Sequence, residues 1–383
     1  MGNSNINSFF KIFCFVLVVF IELFKTASAV EFTDDIYFNG FFTLDLSVTD
    51  TNLGLLSNSD KLKTYEKHKP SFRNSIIGGQ LTYQLYDNLT TVAQAKLHAT
   101  SDDGVTGKVD WSYLSYDFGN DIKVRAGKFQ IPFMQGIELR NIGFSRLWAR
   151  PLIPSSGAGG YQSFVGAEVL KHISLTNGNW DFQISAGKAE HGLKTIDNKN
   201  IQLISARYQQ DSFWIRGAIL HAESSIYTES GKSLDDSAKV LMASFEAEYS
   251  ISSLIFNAGY SINKADIAPD DTTYYFSTGY QFNNITPFVY LSRKNQHFVS
   301  FARQPSEMNP GSSLQPPPPQ SLPPTPDGDF DVYSLATGFR FNFSEQYSLK
   351  MQAEHIKERD NAGIKNRGNT DGTAFSLVIE GVF

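Results

Sequence analysis

Phe375-Ser376-Leu377-Val378-Ile379-Glu380-Gly381-Val382-Phe383 ends the chain, and its reading decides the fold. Phe375, Leu377, Ile379, Gly381 and Phe383 fall on one face, with Ser376 and Glu380 on the other. A period of two belongs to an extended strand, whose successive side chains point to opposite sides. The other end of the chain repeats the pattern. Gly40, Phe42, Leu44, Leu46 and Val48 alternate with Asn39, Thr43, Asp45, Ser47 and Thr49.

The interior continues the rhythm. Leu81, Tyr83 and Leu85 oppose Gln80, Thr82 and Gln84; Trp180, Phe182, Ile184 and Ala186 oppose Asp181, Gln183 and Ser185. Leu241, Ala243, Phe245 and Ala247 oppose Ser244, Glu246 and Glu248, and Leu349, Met351 and Ala353 oppose Lys350, Gln352 and Glu354. The clarity varies, and Val109 to Phe118 has a mixed pattern.

Short turns alternate with long polar segments down the chain. The turns include Tyr86-Asp87-Asn88, Gly119-Asn120-Asp121, Asn177-Gly178-Asn179 and Asn283-Asn284. The long segments run from Thr49 to Asn74, Thr100 to Gly107, Gln130 to Gln162, Lys188 to Lys199, Ala222 to Asp236, Asn263 to Asp271, Arg293 to Asp329 and Arg359 to Gly372. This scheme predicts sixteen strands with both termini on the short-turn side. Strands of about ten residues with one greasy and one wet face suit a tilted membrane crossing. An open sheet in lipid would leave its edge N–H and C=O groups unpaired, so the strands must close. The expected fold is all-β, a transmembrane antiparallel β-barrel with short periplasmic turns and long external loops. Aromatics beside the turns, among them Tyr86, Phe118, Trp180, Tyr208, Tyr249, Phe282 and Tyr347, suit the headgroup zone.

The 383 residues hold 31 Phe and 17 Tyr, with only 19% charged. One apolar run, Ile12 to Phe24, follows Lys11 and precedes Ala27-Ser28-Ala29. It reads as a cleavable signal peptide over 1–29, leaving a barrel over 30–383. The only cysteine, Cys14, leaves with it, so the exported chain has no disulfide framework. Loss of Lys11, Glu22 and Lys25 takes the formal charge from −6 to −7, a poor balance for nucleic acid.

The terminal nonapeptide resembles the C-terminal signature of outer-membrane barrel proteins, in which a final Phe is read by the barrel assembly machinery. Lys123-Val124-Arg125-Ala126-Gly127-Lys128-Phe129-Gln130-Ile131-Pro132-Phe133 resembles the strand-to-loop segment of Gram-negative general and phosphate-selective-type porins. The resemblance implies a water-filled pore in the outer membrane, a homotrimer, and a third external loop folded into the lumen. It implies passive diffusion of small hydrophilic solutes and ions, with lipid and lipopolysaccharide around the wall.

The third loop, 130–162, is the candidate constriction. It carries Arg140, Arg146 and Arg150 but no Lys, and one carboxylate, Glu138. Alternation points Lys123 and Arg125 into the lumen beside Asp45, Glu246, Glu248, Glu354 and Glu380. Basic residues in a narrow pore favour anions. Loop three therefore predicts a weak anion preference, against an overall acidic charge. A proline-rich loop, 293–329, contains Pro316 to Pro319 and suits an extended polyproline stretch. It supports an alternative, a closed barrel acting as a surface adhesin or receptor. Asp327, Asp329 and Asp331 alternate beside Gly328 and could contribute to a Ca²⁺ site, but three carboxylates without a recognised binding loop are usually just solvated. No cofactor or enzyme motif stands out.

Overall fold

The computed structural model describes residues 30–53, 65–99, 104–134, 139, 141–150, 161–191, 196–227, 233–266, 270–298, 328–360 and 370–383. The expected leader, Glu138, Arg140, Asp327 and most of the proline-rich loop lie outside them. No helix among the described residues is long and apolar enough to cross a membrane.

A short strand, β1 (Val30–Thr33), precedes sixteen longer ones. These are β2 (Ile36–Thr49), β3 (Ile76–Tyr86), β4 (Leu89–Ala99), β5 (Val105–Asp117), β6 (Ile122–Gln130), β7 (Tyr161–Leu175), β8 (Gly178–His191) and β9 (Ile196–Gln210). Then come β10 (Phe213–Tyr227), β11 (Ser233–Ile251), β12 (Leu254–Ala265), β13 (Asp270–Tyr280), β14 (Ile285–Phe298), β15 (Gly328–Asn342), β16 (Tyr347–Asp360) and β17 (Thr370–Val382). From β2 onward each strand pairs antiparallel with the next, and β17 returns to β2 from Ala374↔Thr49 to Val382↔Phe41. The sheet therefore has no open edge.

Closure explains the chain end. Gly40 and Phe383 exchange backbone hydrogen bonds, Phe383 N to Gly40 O at 2.9 Å and Gly40 N to Phe383 O at 2.5 Å. The Phe383 ring lies over Gly40, where any Cβ would collide with it. The last residue thus seals the seam with both backbone and ring.

The outer face is greasy. Ile184, Ile204 and Ile219, on β8, β9 and β10, are 57%, 60% and 59% exposed. A continuous apolar belt on this scale is not tolerated in water and marks a lipid-facing wall. Strand length agrees: eleven residues, as in β3, span about 36 Å, or about 28 Å of membrane at a tilt of about 40°. Around the short-turn rim, Tyr86, Phe118, Tyr249 and Phe282 are exposed, and Trp180 packs on Tyr208 at 5.1 Å. The turns use residues that tolerate left-handed backbone, as at Gly119, Asn120 and Asp121, with φ of 74°, 51° and 58°.

Two details differ from the pattern reading. Strands run past the expected loop boundaries; β10 continues to Tyr227 and β11 begins at Ser233, inside the segment read as a loop. Beyond the lipid, pairing needs only the backbone, so polar residues on both faces do not end a strand. The mixed signal near Val109 comes from a register shift between Gln94 and Ala95, opposite Trp111 and Val109. A bulge of this kind breaks the two-residue count.

Candidate functional site

The inner face is where solutes would pass, and register identifies its members. Thr43, Asp45, Ser47 and Thr49 of β2 pair with Glu380, Val378, Ser376 and Ala374 of β17. Lys350, Gln352 and Glu354 of β16 continue the same rows. All are buried, with Asp45, Lys350, Glu354 and Glu380 at 1%, 0%, 1% and 0% exposure. Charged side chains on a wet inner wall should be open to water. Their burial means something covers them.

The cover is loop three. Its first part leaves β6 and packs Ile131, Phe133 and Met134 on Leu203, Leu220 and Met242 of β9, β10 and β11. Arg216 donates to Pro132 O, and Ser244 Oγ donates to Phe133 O at 2.7 Å. The loop then reaches other strands. Asn141 sits between β4 and β5, accepting from Lys96 Nζ and donating to Asp110 Oδ2, each at 2.9 Å. A single 3-10 turn, Gly143–Ser145, lies against β2 and β17, where a Cβ on Gly143 would strike the Glu380 carboxylate and the Thr43 hydroxyl.

Opposite charges clamp the second half. Lys350 pairs with Glu380 at 2.5 Å and donates to Gly143 O at 2.8 Å. Arg340 donates to Phe144 O at 2.9 Å, and Gln352 accepts from Ala149 N at 2.9 Å. Arg150 pairs with Glu354 at 2.8 Å, with both side chains buried. Glu354 also accepts from Tyr290 at 2.6 Å and from Ser334. Trp148 rests against Tyr275 and Tyr290, at 6.4 and 6.0 Å between rings. Loop three thus enters the lumen and touches walls on opposite sides.

The first loop also turns inward, which pattern reading did not anticipate. Leu53 and Tyr65 pack on Phe330, Val332, Ile356 and Ala374 of β15, β16 and β17. Asp45 accepts from Ser47 and Asn74, each at 2.6 Å, and so ties this loop to the wall. The available signal was apolar residues on an inner face that should be wet.

The predicted residues fall into groups. Arg150 meets Glu354, whereas Arg146 lies within electrostatic reach of Glu380 and Asp45. Arg125 pairs with Glu168 and stacks over Tyr113 and Phe129 at 5.2 and 5.5 Å. Glu246 accepts from Tyr275 at 2.9 Å, and Glu248 lies opposite Trp214. Lys123 stays in water and meets Asp117 at 3.5 Å. It lines a cavity of about 640 Å³ toward the short-turn end, with His172, Asp181, Gln183, Arg207 and Arg216. Arg207 and Arg216, directly opposite across β9 and β10, were not singled out from the sequence. Alternation along those strands was the signal that could have found them. Asp329 meets His297 at 2.8 Å and Asp331 meets Arg293 at 2.8 Å, and the described residues contain no cluster suited to a metal ion.

No family model and no curated protein matches the sequence. Solved structures do match in shape. The Salmonella typhi OmpF complex with daunomycin superposes with a TM-score of 0.60 at 10% identity, covering 93% of this chain and 100% of that one. An anion-selective porin from Comamonas acidovorans gives 0.58 at 12% identity, over 91% and 99%. The trimer form of in-vitro folded OmpT, an outer membrane protein of Vibrio cholerae, gives 0.52 at 12%, over 91% and 99%. At such identities the likeness is one of fold: the chain has the closed sixteen-stranded barrel architecture of outer-membrane porins.

Proposed function

We propose that this chain is an outer-membrane porin, a channel for passive diffusion of small hydrophilic solutes and ions. The observation that carries the reading is a closed barrel, apolar outside and polar inside, with its third loop laid across the lumen. Charged groups on the inner wall offer ions partial replacement of their hydration shells. In this reading 1–29 is removed on export, and the barrel works as a homotrimer, the form in which one of the similar structures was solved. The expected slight anion preference set Arg140, Arg146 and Arg150 with Lys123 and Arg125 against Glu138, Asp45, Glu246, Glu248 and Glu354. Because Asp45, Arg150 and Glu354 are buried beneath the loops, the preference rests on the groups that stay in water, Lys123 among them. One similar structure is described as anion-selective.

The test is a planar bilayer. Refolded protein should give ohmic current steps, and a potassium chloride gradient should give a reversal potential displaced toward that of chloride. Properly folded protein that leaves bilayers silent overturns the proposal.

One observation favours the second reading, a closed barrel used as a surface receptor. Loops one and three cover much of the inner wall, and Tyr65, Phe133 and Met134 are each 1% exposed. Deleting Gly311 to Pro324 separates the two readings. The deletion leaves a porin's conductance intact and removes a receptor's partner binding.

A further inference from the structure

Loop one is anchored to the barrel on several sides. Its outgoing arm bonds to β17, where Asp50 N donates to Thr373 O at 3.0 Å and Asp50 Oδ1 accepts from Thr373 N at 2.7 Å. Leu53 and Tyr65 then exchange backbone hydrogen bonds of 3.1 and 2.7 Å, which brings the two arms together. The returning arm runs back along β2: His68 N donates to Thr49 O at 2.7 Å, and Ser47 and Ser71 exchange bonds at 2.9 Å. The side chains of Leu53 and Tyr65 are buried among Phe330, Val332, Ile356 and Ala374. Backbone pairing and apolar packing both fix this loop, and none of these contacts involves loop three.

The end of loop three is held differently. Ala149 N bonds to Gln352, and Arg150 meets Glu354 at 2.8 Å. Arg150 is buried, yet its Nε and Nη1 bond to no described residue. A buried cation with idle donors is costly unless counter-charges lie close by. Glu354 is one, and Asp45 of β2 is a second within electrostatic reach. Asp45 is buried too, and a carboxylate away from water stays charged only where donors meet its oxygens. Two side-chain donors do so, Ser47 Oγ and Asn74 Nδ2, each at 2.6 Å. Asn74 belongs to the returning arm of loop one, and its Nδ2 also donates to the Tyr65 hydroxyl at 3.0 Å. Tyr65, Asn74, Asp45, Arg150 and Glu354 thus form one buried chain from loop one through the wall to loop three.

We infer that loop one braces loop three: Asn74, held by Tyr65, keeps Asp45 charged and in place, and Asp45 draws the Arg150 end of loop three onto the β16–β2 side of the lumen. Asn74 and Tyr65 are then positioning residues for the bore, although neither need touch a solute. This rests on the reading of the chain as a porin, because the brace sets how steadily loop three stays clear of the flank where Lys123 and Arg207 line a cavity. The direction of the effect follows from the anchors. Loop one is fixed by its own contacts, whereas loop three at residues 149 and 150 is held by the side chains of Gln352 and Glu354.

Trypsin digestion of the folded barrel, with cleavage after Arg146 and Arg150 mapped by mass spectrometry, tests the brace alongside planar-bilayer recording. Asn74→Leu removes the donor, and Asp45→Asn removes the charge at nearly constant shape. Each should raise cleavage at these arginines several-fold over wild type and add brief partial closures to the current steps. The reversal potential should not move. Lys69→Gln, on the exposed part of the same loop, should change nothing. The deciding measurement is a double variant. In an Arg150→Ala background, Asn74→Leu should add nothing to cleavage at Arg146, because its effect passes through Arg150; a merely structural loss would add to it. Additive effects, or wild-type cleavage rates in both Asn74→Leu and Asp45→Asn, overturn the inference. Silent bilayers with the same cleavage pattern would overturn the porin and leave the brace standing.

Discussion

Two flanks of one inner wall behave differently. On β14 to β17 and β2, the charges Asp45, Lys350, Glu354 and Glu380 lie almost wholly buried beneath loops one and three. On β6 to β10, toward the short-turn end, Lys123, His172, Asp181 and Arg207 line an open cavity. Both flanks arise from the same alternation of greasy and wet positions. The difference is the loop laid over one of them. A charge on a barrel's inner face is a pore residue only where no loop claims it. Where a loop does, the charge becomes a fastener, and its energetics are those of a protein interior.

Breaking a fastener should have the largest effect. Glu380→Ala would leave Lys350, a side chain with no exposure, only the carbonyls of Gly143 and Trp148 and no counter-charge, and removing one partner of a buried pair costs about 3–5 kcal/mol. A urea-unfolding midpoint should fall accordingly, and loop three should become more open to protease. A midpoint equal to wild type would mean that this flank is wetter than described.

Arg150→Ala is next. Glu354 keeps Tyr290, Ser334 and Gln352 as donors, so the stability loss should be smaller, about 1–3 kcal/mol. Because Arg150 and Glu354 are 4% and 1% exposed, the reversal potential in a salt gradient should stay at the wild-type value. A clear shift toward cations would place Arg150 in the ion path and undo the distinction between the flanks.

On the open flank, Lys123→Gln removes an ion pair that is 58% and 43% exposed. Such pairs contribute at most about 1 kcal/mol, so unfolding should barely change. Any effect should appear in ion selectivity alone. A stability loss as large as that of Glu380→Ala would erase the distinction between the flanks.

Much of this fold was legible because a barrel wall is a local code. Trp180 to Ala186 alternates, and in the structure Phe182 and Ile184 face outward while Asp181, Gln183 and Ser185 face inward. The end segment, Phe375 to Phe383, announced a strand, and Phe383 meets Gly40 across the seam. The candidate site was legible only in part. Alternation assigned Glu354 and Asp45 to the lumen, but a period of two carries no information about partners 204 or 29 residues away, such as Arg150 and Asn74. Loop one gave weaker notice still, since Leu53 and Tyr65 look like ordinary loop residues until Phe330 and Ile356 are seen turned inward.

By itself, the order of residues determined where the membrane-crossing part of most strands lies and which side of it is greasy, because neighbouring side chains on an extended backbone must point opposite ways. It determined closure as well, because unpaired edges cannot stand in lipid. Only the tertiary structure decided which charges are buried and which are wet. That depends on where two long loops come to rest, and a loop's resting place is set by contacts between residues far apart in the chain.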